Sequence, residues 1–185
     1  MLKQYFAKLW VRRRPTWQGV LAGVLAGAIG GLAGAGAKIV GELIDNPRNL
    51  GQVSPPLLFT EKVTGDTYPN LTEQNNIITG IHFTFSIFVG AIYGAAAEVF
   101  PIVTVGYGVG FGWVLQLCTH ESSVPALGLD VPPWKMPLHE QTSETFTHAL
   151  FGLAVEVVRR GVRKLLPAAL RKGPDAAGPL SLRTA

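Results

Sequence analysis

Four long apolar stretches organise the chain, over about residues 18–42, 77–98, 102–120 and 143–164. The first holds twenty residues, 18–37, without a formal charge. Twenty helical residues at 1.5 Å each match a hydrocarbon core of about 30 Å. Apolar runs of this length predict membrane-crossing helices, not strands. Pro101 separates the second stretch from the third and reads as a hairpin turn. The fourth is the weakest, because only Thr145 to Val158 lacks a formal charge, Glu156 apart. It is expected to begin near Ser143 as N-cap and to run through its arginines to Pro167, with those side chains snorkelling inward.

The pattern therefore predicts an all-α membrane protein with four transmembrane helices. Residues 1–16 form a basic N-terminal segment, in which Leu2, Tyr5, Phe6, Leu9 and Trp10 recur at helical spacing. That spacing suits a helix lying on the inner membrane surface. Residues 17–166 make the membrane domain, with proline-rich outer loops at 45–76 and 121–142. Residues 167–185, rich in Pro, Gly and Ala, are expected to be a disordered tail. A cleaved signal peptide is the rival reading of the N-terminus, and the long basic region and the spanning length of the apolar run count against it.

Charge then sets the orientation. Five basic residues precede the first apolar stretch and seven lie from Arg159 onward, against Arg48, Lys62 and Lys135 alone in the outer loops. The positive-inside rule places both termini in the cytoplasm. Only 15% of residues are charged and 48% are hydrophobic, where soluble domains hold about 25% charged residues. The basic tails lack the aromatic-interleaved patches of nucleic-acid binders, so membrane lipid is the expected partner and nucleic acid is not. Cys118 is the single cysteine, which excludes an intrachain disulfide and thiolate zinc sites; its apolar neighbours suggest a packed side chain.

Glycine marks the helix contacts. Gly19, Gly23, Gly27 and Gly31 fall every fourth residue, and Gly30 and Gly34 start a second row. Gly90 and Gly94 lie in the second stretch, and Gly108 and Gly112 in the third. Small residues at this spacing let helix backbones approach closely in lipid. Packing within one chain and a homo-oligomer seam along the first helix both fit.

The ionisable residues inside the apolar stretches carry the chemistry. Lys38, Glu42, His82, Gln116, His120, Glu144 and His148 fall at one depth, toward the outer face. Charged groups in hydrocarbon cost at least ~2.5–3.5 kcal/mol each, so a cluster drawn from all four stretches predicts a polar chamber. Histidine, with a reference pKa near 6.5, makes such a chamber responsive to mild acid. Metal binding by His82, His120 and His148 is the alternative, opposed by Lys38 and by the lack of a ligand motif. Near the inner face, Glu98 and Glu156 are expected to pair with Arg159 and Arg160, or to form the inner end of a proton path. No catalytic motif or cofactor site is present, so no enzymatic activity is expected.

His82, Phe85-Ser86-Ile87, Tyr93, Ala97 to Pro101, Gly108, Gly112, Gln116, His120, Gly128-Leu129, Pro137, Ser143-Glu144, Phe146, His148, Glu156 and Arg159-Arg160 together resemble the YagU family of bacterial inner-membrane proteins. Lys38, Glu42, Pro47-Arg48 and Pro55-Pro56 fit the same pattern. The resemblance implies an inner-membrane location and a role in acid resistance, and it supplies no substrate and no catalytic residue. The functions that follow are acid-stress protection through a pH-responsive site that conducts protons or small ions, a structural or accessory subunit of a membrane assembly, or a metal-binding membrane protein.

Overall fold

The computed structural model describes residues 13–48 and 52–167, and among these it is all-helical. Helix α1 spans Trp17–Ile44, α2 Pro55–Thr64, α3 Leu71–Val99, α4 Val109–Cys118 and α5 Leu138–Leu165. By length and composition, Trp17–Ile44, Leu71–Val99 and Pro101–Ala126 can each cross a membrane. The starts are capped as their sequences suggest. Thr16 Oγ1 accepts from the Gly19 amide at 3.1 Å and Asn70 Oδ1 from the Thr72 amide at 2.9 Å, satisfying first-turn donors.

Helix α1 is the spine of the bundle. One face lies on α3, another on α5, and α5 in turn packs on α4. The glycine rows sit on these contacts. A Cβ on Gly23 would stand 2.6 Å from the Gly94 carbonyl oxygen, and one on Gly27 or Gly31 would collide with the backbone of Gly90 or Ser86. The second row faces α5: a Cβ on Gly30 would be 2.6 Å from the Val155 carbonyl oxygen, and one on Gly34 2.9 Å from the Phe151 ring. Gly108 and Gly112 approach Gly152 and His148 in the same way. Gly19 differs from the others, because only its own N-terminal neighbours Thr16 and Pro15 lie near it. Of the α1 glycines weighed for a seam between copies, Gly23, Gly27 and Gly31 meet α3 and Gly30 and Gly34 meet α5 of the same chain.

The distribution of polarity is inverted relative to a water-soluble fold. Leu21, Leu25, Ile29 and Leu32 of α1, Phe85, Phe88 and Ile92 of α3, Trp113, Val114 and Leu117 of α4, and Leu153 and Val157 of α5 point outward. Lys38, Gln116, Glu144, His148, Glu156 and Arg159 are buried. Charged groups are almost never fully buried in soluble proteins unless paired, and large outward apolar surfaces mark contact with lipid or protein. The chain is a membrane protein by this criterion.

Several sequence expectations need correction. The fourth stretch starts not at Ser143 but at Leu138, directly after Pro137, whose φ of −55° is compatible with a helix start. Ser143 lies inside α5, fully buried, where its hydroxyl donates to the Asp45 carbonyl. The third stretch is not one helix from residue 102. A 3₁₀ segment, Pro101–Gly108, holds Gly106, Tyr107 and Gly108 at positive φ, and regular α-helix resumes only at Val109. Side chains rarely enter that region, but glycine does so freely, and two glycines flank Tyr107. The outer end of this stretch closes with a π-helical turn, Thr119–Ser123. The loop predicted at 45–76 contains α2 and the first turns of α3. Cys118 is exposed, not packed. The predicted surface helix within residues 1–16 and the tail from 168 onward lie outside the described residues, apart from 13–16.

Replacing Gly27 with Leu is expected to lower the thermal midpoint of detergent-solubilised protein by the equivalent of ~3 kcal/mol, the upper end of ordinary overpacking. Gly36→Leu is the matched control, since nothing stands within 4 Å of a Cβ there. It should leave the midpoint nearly unchanged, and equal losses in both variants would contradict the seam.

Candidate functional site: a buried ionic cluster

The chamber is built outward from one helical pair. Lys38 and Glu42 are a turn apart on α1, and their side chains meet at 2.6 Å. Lys38 is only 6% exposed, so its three donors need three acceptors. It finds Glu42 Oε1, Glu144 Oε2 at 2.9 Å and Thr147 Oγ1 at 3.2 Å. The last two come from α5, so the ammonium ties the C-terminal end of α1 to the N-terminal half of α5.

Glu144 is the hub. It is 2% exposed, and cations or imidazoles approach it from four directions. Beside Lys38, its Oε2 lies 3.3 Å from His148 Nδ1 and 3.8 Å from His120 Nε2, while Oε1 lies 3.9 Å from the Arg48 guanidinium. His148 Nδ1 also donates to the Glu144 carbonyl oxygen at 2.8 Å. That bond fixes the tautomer, with the hydrogen on Nδ1. The His120 and His148 rings meet edge to face with centroids 5.1 Å apart. The π-helical turn carries His120 at the end of α4, from which it reaches Glu144.

Gln116 sits beside this group, donating to Thr145 Oγ1 at 3.1 Å and to Glu121 Oε1 at 3.2 Å. His82 approaches from α3, within electrostatic reach of Lys38, Glu42 and His148. Its Nε2 is buried and makes no hydrogen bond among the described residues, and the same holds for Arg48 Nη1. The structure thus brings Lys38, Glu42, His120, Glu144 and His148 together, sets His82 against them, and places Gln116 at the rim.

Arg48 is the residue that sequence reasoning left out of the site. Its signal was its place after Pro47 as the first cation of the outer loops. The strand of chain around it is clamped to α5: Ser143 donates to the Asp45 carbonyl, His139 Nε2 meets the Asn46 carbonyl at 3.0 Å, and Gln52 reaches Glu140. These bonds hold Asp45, Asn46 and Gln52 against the first turns of α5. With histidines neutral, Lys38 and Arg48 balance Glu42 and Glu144.

Glu98, Glu156 and the arginines of α5 form a separate network. Glu156 is fully buried and accepts from Tyr93 Oη at 2.8 Å, Arg159 Nε at 2.7 Å and Arg160 Nε at 2.5 Å. Glu98 accepts from Arg163 at 2.9 Å and from Arg159 at 3.3 Å. Tyr93 and Arg163 are additions to the predicted set of Glu98, Glu156, Arg159 and Arg160. Between the two networks lies an apolar layer of Val89, Phe151 and Val155 with the Tyr93 ring, packed against Phe111 and Leu115. His148 and Glu156 are eight residues apart, a rise of about 12 Å, and this layer fills it.

As a metal centre the arrangement is poor. Ligand atoms of His120, Glu144 and His148 lie within 4.8 Å of one another, whereas His82 of the predicted trio stands outside that group. Zinc requires bonds of about 2.0–2.2 Å, and the Glu144 carboxylate is already held by Lys38 and faced by Arg48.

Comparison with known proteins gives a relative consistent with this architecture. Over 126 residues, covering 65% of this chain and 61% of the relative, the sequence is 33% identical to the inner membrane protein YagU of Escherichia coli (strain K12). The chain thus matches somewhat less than two thirds of that relative's length. No solved structure matches. The family model described as protein of unknown function (DUF1440) matches residues 32–157, from the middle of α1 to beyond Glu156. That interval holds every member of the outer chamber, and the chain belongs to this family.

Proposed function

We propose that this protein is a multi-pass inner-membrane protein that responds to acid on the outer side and protects against acid stress by gating a proton or small-ion path. The observation that carries the reading is Glu144: one buried carboxylate shared by Lys38, Arg48 and two histidines near one end of the bundle. Each proton added to His120 or His148 places a further positive charge beside Lys38 and Arg48 on Glu144, the carboxylate that both histidines approach. Unbalanced buried charge is costly. The outer ends of α1 and α5, joined through Lys38 and Glu144, then separate, and the clamp formed by residues 45–48 lifts.

The topology of this reading has four crossings, with α5 as the fourth. Its 28 residues reach about 42 Å, and its polar face is covered by α1 and α4. Both termini lie in the cytoplasm, in keeping with the basic tails. The location in the inner membrane follows the relative. Glycine-mediated packing within the chain holds the bundle, and copies associate, if at all, through faces other than the Gly23–Gly31 row. The apolar layer around Phe151 closes the path at rest, so conduction belongs to the acid state.

The fully satisfied inner network favours a second reading, a structural or accessory subunit in which both networks lock the bundle. Liposome flux separates the two. Purified protein in dye-loaded liposomes is expected to pass protons when the outside is acidified, and to be tight at neutral pH. Absence of flux at every pH would remove transport.

The lock is tested by distance. With Cys118→Ser as background, spin labels at the exposed positions Val53 and Leu138 are expected to move apart on acidification. His120→Gln combined with His148→Gln should abolish that movement. Glu144→Gln should cost ~3–5 kcal/mol of stability, the usual consequence of removing one partner of a buried ion pair, measured as a fall in thermal midpoint at neutral pH.

A further inference from the structure

Charge is divided unevenly between the two ends of the bundle. Arg13 and Arg14 before α1 lie at the same end as Arg159, Arg160, Arg163 and Lys164 of α5, since the Arg13 amide donates to the Val99 carbonyl at 2.9 Å and Glu98 meets Arg159 and Arg163. Among the described residues, only Glu98 and Glu156 are acidic at that end. The other described carboxylates fall between Glu42 and Glu73 or between Glu121 and Glu144, toward the opposite end. Glu156 is shared by Arg159 and Arg160, and Glu98 by Arg159 and Arg163. Two carboxylates thus serve three arginines, and Arg13, Arg14 and Lys164 add further positive charge. Such a surplus attracts anions.

One face of α5 shows which kind. Leu153, Val157, Arg160 and Lys164 follow at spacings of four, three and four residues, which sets them in a single stripe along the helix. Leu153 and Val157 are exposed and, in a membrane chain, face acyl chains. The stripe then ends in two cations. Arg160 is oriented there by its Nε bond to Glu156 and by the Tyr107 ring, whose centroid lies 4.6 Å from the guanidinium carbon. Tyr107 is itself half exposed. With Nε engaged, the planar fork of the guanidinium keeps terminal N–H donors that match phosphate oxygens. A Cβ on the adjoining Gly161 would meet nothing within 4 Å, so the helix surface is open beside it.

We propose that this stripe binds an anionic phospholipid, with its acyl chains along Leu153 and Val157 and its phosphate on Arg160 and Lys164 beside Tyr107. A zwitterionic lipid offers the same tails, but its own cation offsets its phosphate, so headgroup charge decides the preference. The inference goes beyond the acid response and does not depend on it. In the topology proposed above, the lipid belongs to the cytoplasmic leaflet.

The test uses the full chain in detergent at neutral pH, titrated with dioleoyl phosphatidylglycerol or dioleoyl phosphatidylcholine while native mass spectrometry counts bound lipid. The tails are identical, so a preference reports the headgroup. Phosphatidylglycerol is expected to bind at least ~5-fold more tightly, the usual contribution of one basic residue at an anionic surface. Lys164→Gln and Arg160→Gln should each weaken it by about 5-fold, and together by about 25-fold. Lys135→Gln, at the opposite end, should leave it unchanged. Equal affinity for the two lipids, or a preference that survives the double variant, overturns the proposal. Lys164→Gln leaves the Glu156 bonds in place, so it decides alone if Arg160→Gln does not fold: an unchanged preference there overturns the proposal too. Glycerol 3-phosphate, added at the concentration of the lipid, should not displace it. Displacement would make this a site for soluble phosphate and overturn the lipid.

Discussion

The contact between Lys38 and Glu144 constrains the rest of this molecule. A lysine buried in a membrane bundle must have its ammonium fully paired, and two of its three partners are on α5. That requirement fixes the rotation of α1 about its axis and the height of α5 beside it. Once those are set, Thr147 and His148 turn inward with Glu144, and His120 meets the same carboxylate from the end of α4. The ion pair is weak evidence for stability in itself, since desolvation offsets much of its attraction. What it supplies is register: shifting α5 by one residue would turn Glu144 away from Lys38 and leave both charges alone.

Glycine makes the register attainable. Helices in lipid gain little from burying apolar surface, so close backbone contact has to hold them. The two rows on α1 serve two partners at once, Gly23, Gly27 and Gly31 against α3 and Gly30 and Gly34 against α5. Because α1 can approach both closely, short side chains such as Thr147 reach its polar end. The same closeness seals the middle of the bundle, where Phe151 and Val155 pack between the outer and inner networks. The Glu144 cluster is therefore divided from the Glu156 network by an apolar layer.

Much of the candidate site was legible because pairs a turn apart on one helix are visible in spacing. Lys38 with Glu42, Glu144 with His148, and Glu156 with Arg160 are all four apart, and each pair meets in the structure. Common depth also followed from counting along each apolar stretch. What spacing could not show was the rotation of one helix against another, which decides that Glu144 faces α1 while Cys118 faces outward. Arg48 was missed because it lies beyond the end of α1 and reaches Glu144 only through the clamp of Asp45 and Asn46 onto α5. The start of α5 was misplaced because Ser143 looks like an N-cap, while Pro137 precedes the actual first turn. The irregular segment before Val109 depends on backbone angles at Gly106, Tyr107 and Gly108 that an apolar run does not reveal.

The central claim is that acid reaching the outer face charges histidines gathered on one buried carboxylate. Infrared difference spectroscopy of the reconstituted protein, stepped from neutral to acid pH, reads those groups directly. The account predicts imidazole protonation bands that lose the contributions of His120 and His148 when those residues are replaced by glutamine, together with a change in the Glu144 carboxylate band. A spectrum unchanged between the two pH values, or one whose histidine bands survive both replacements in full, would contradict it.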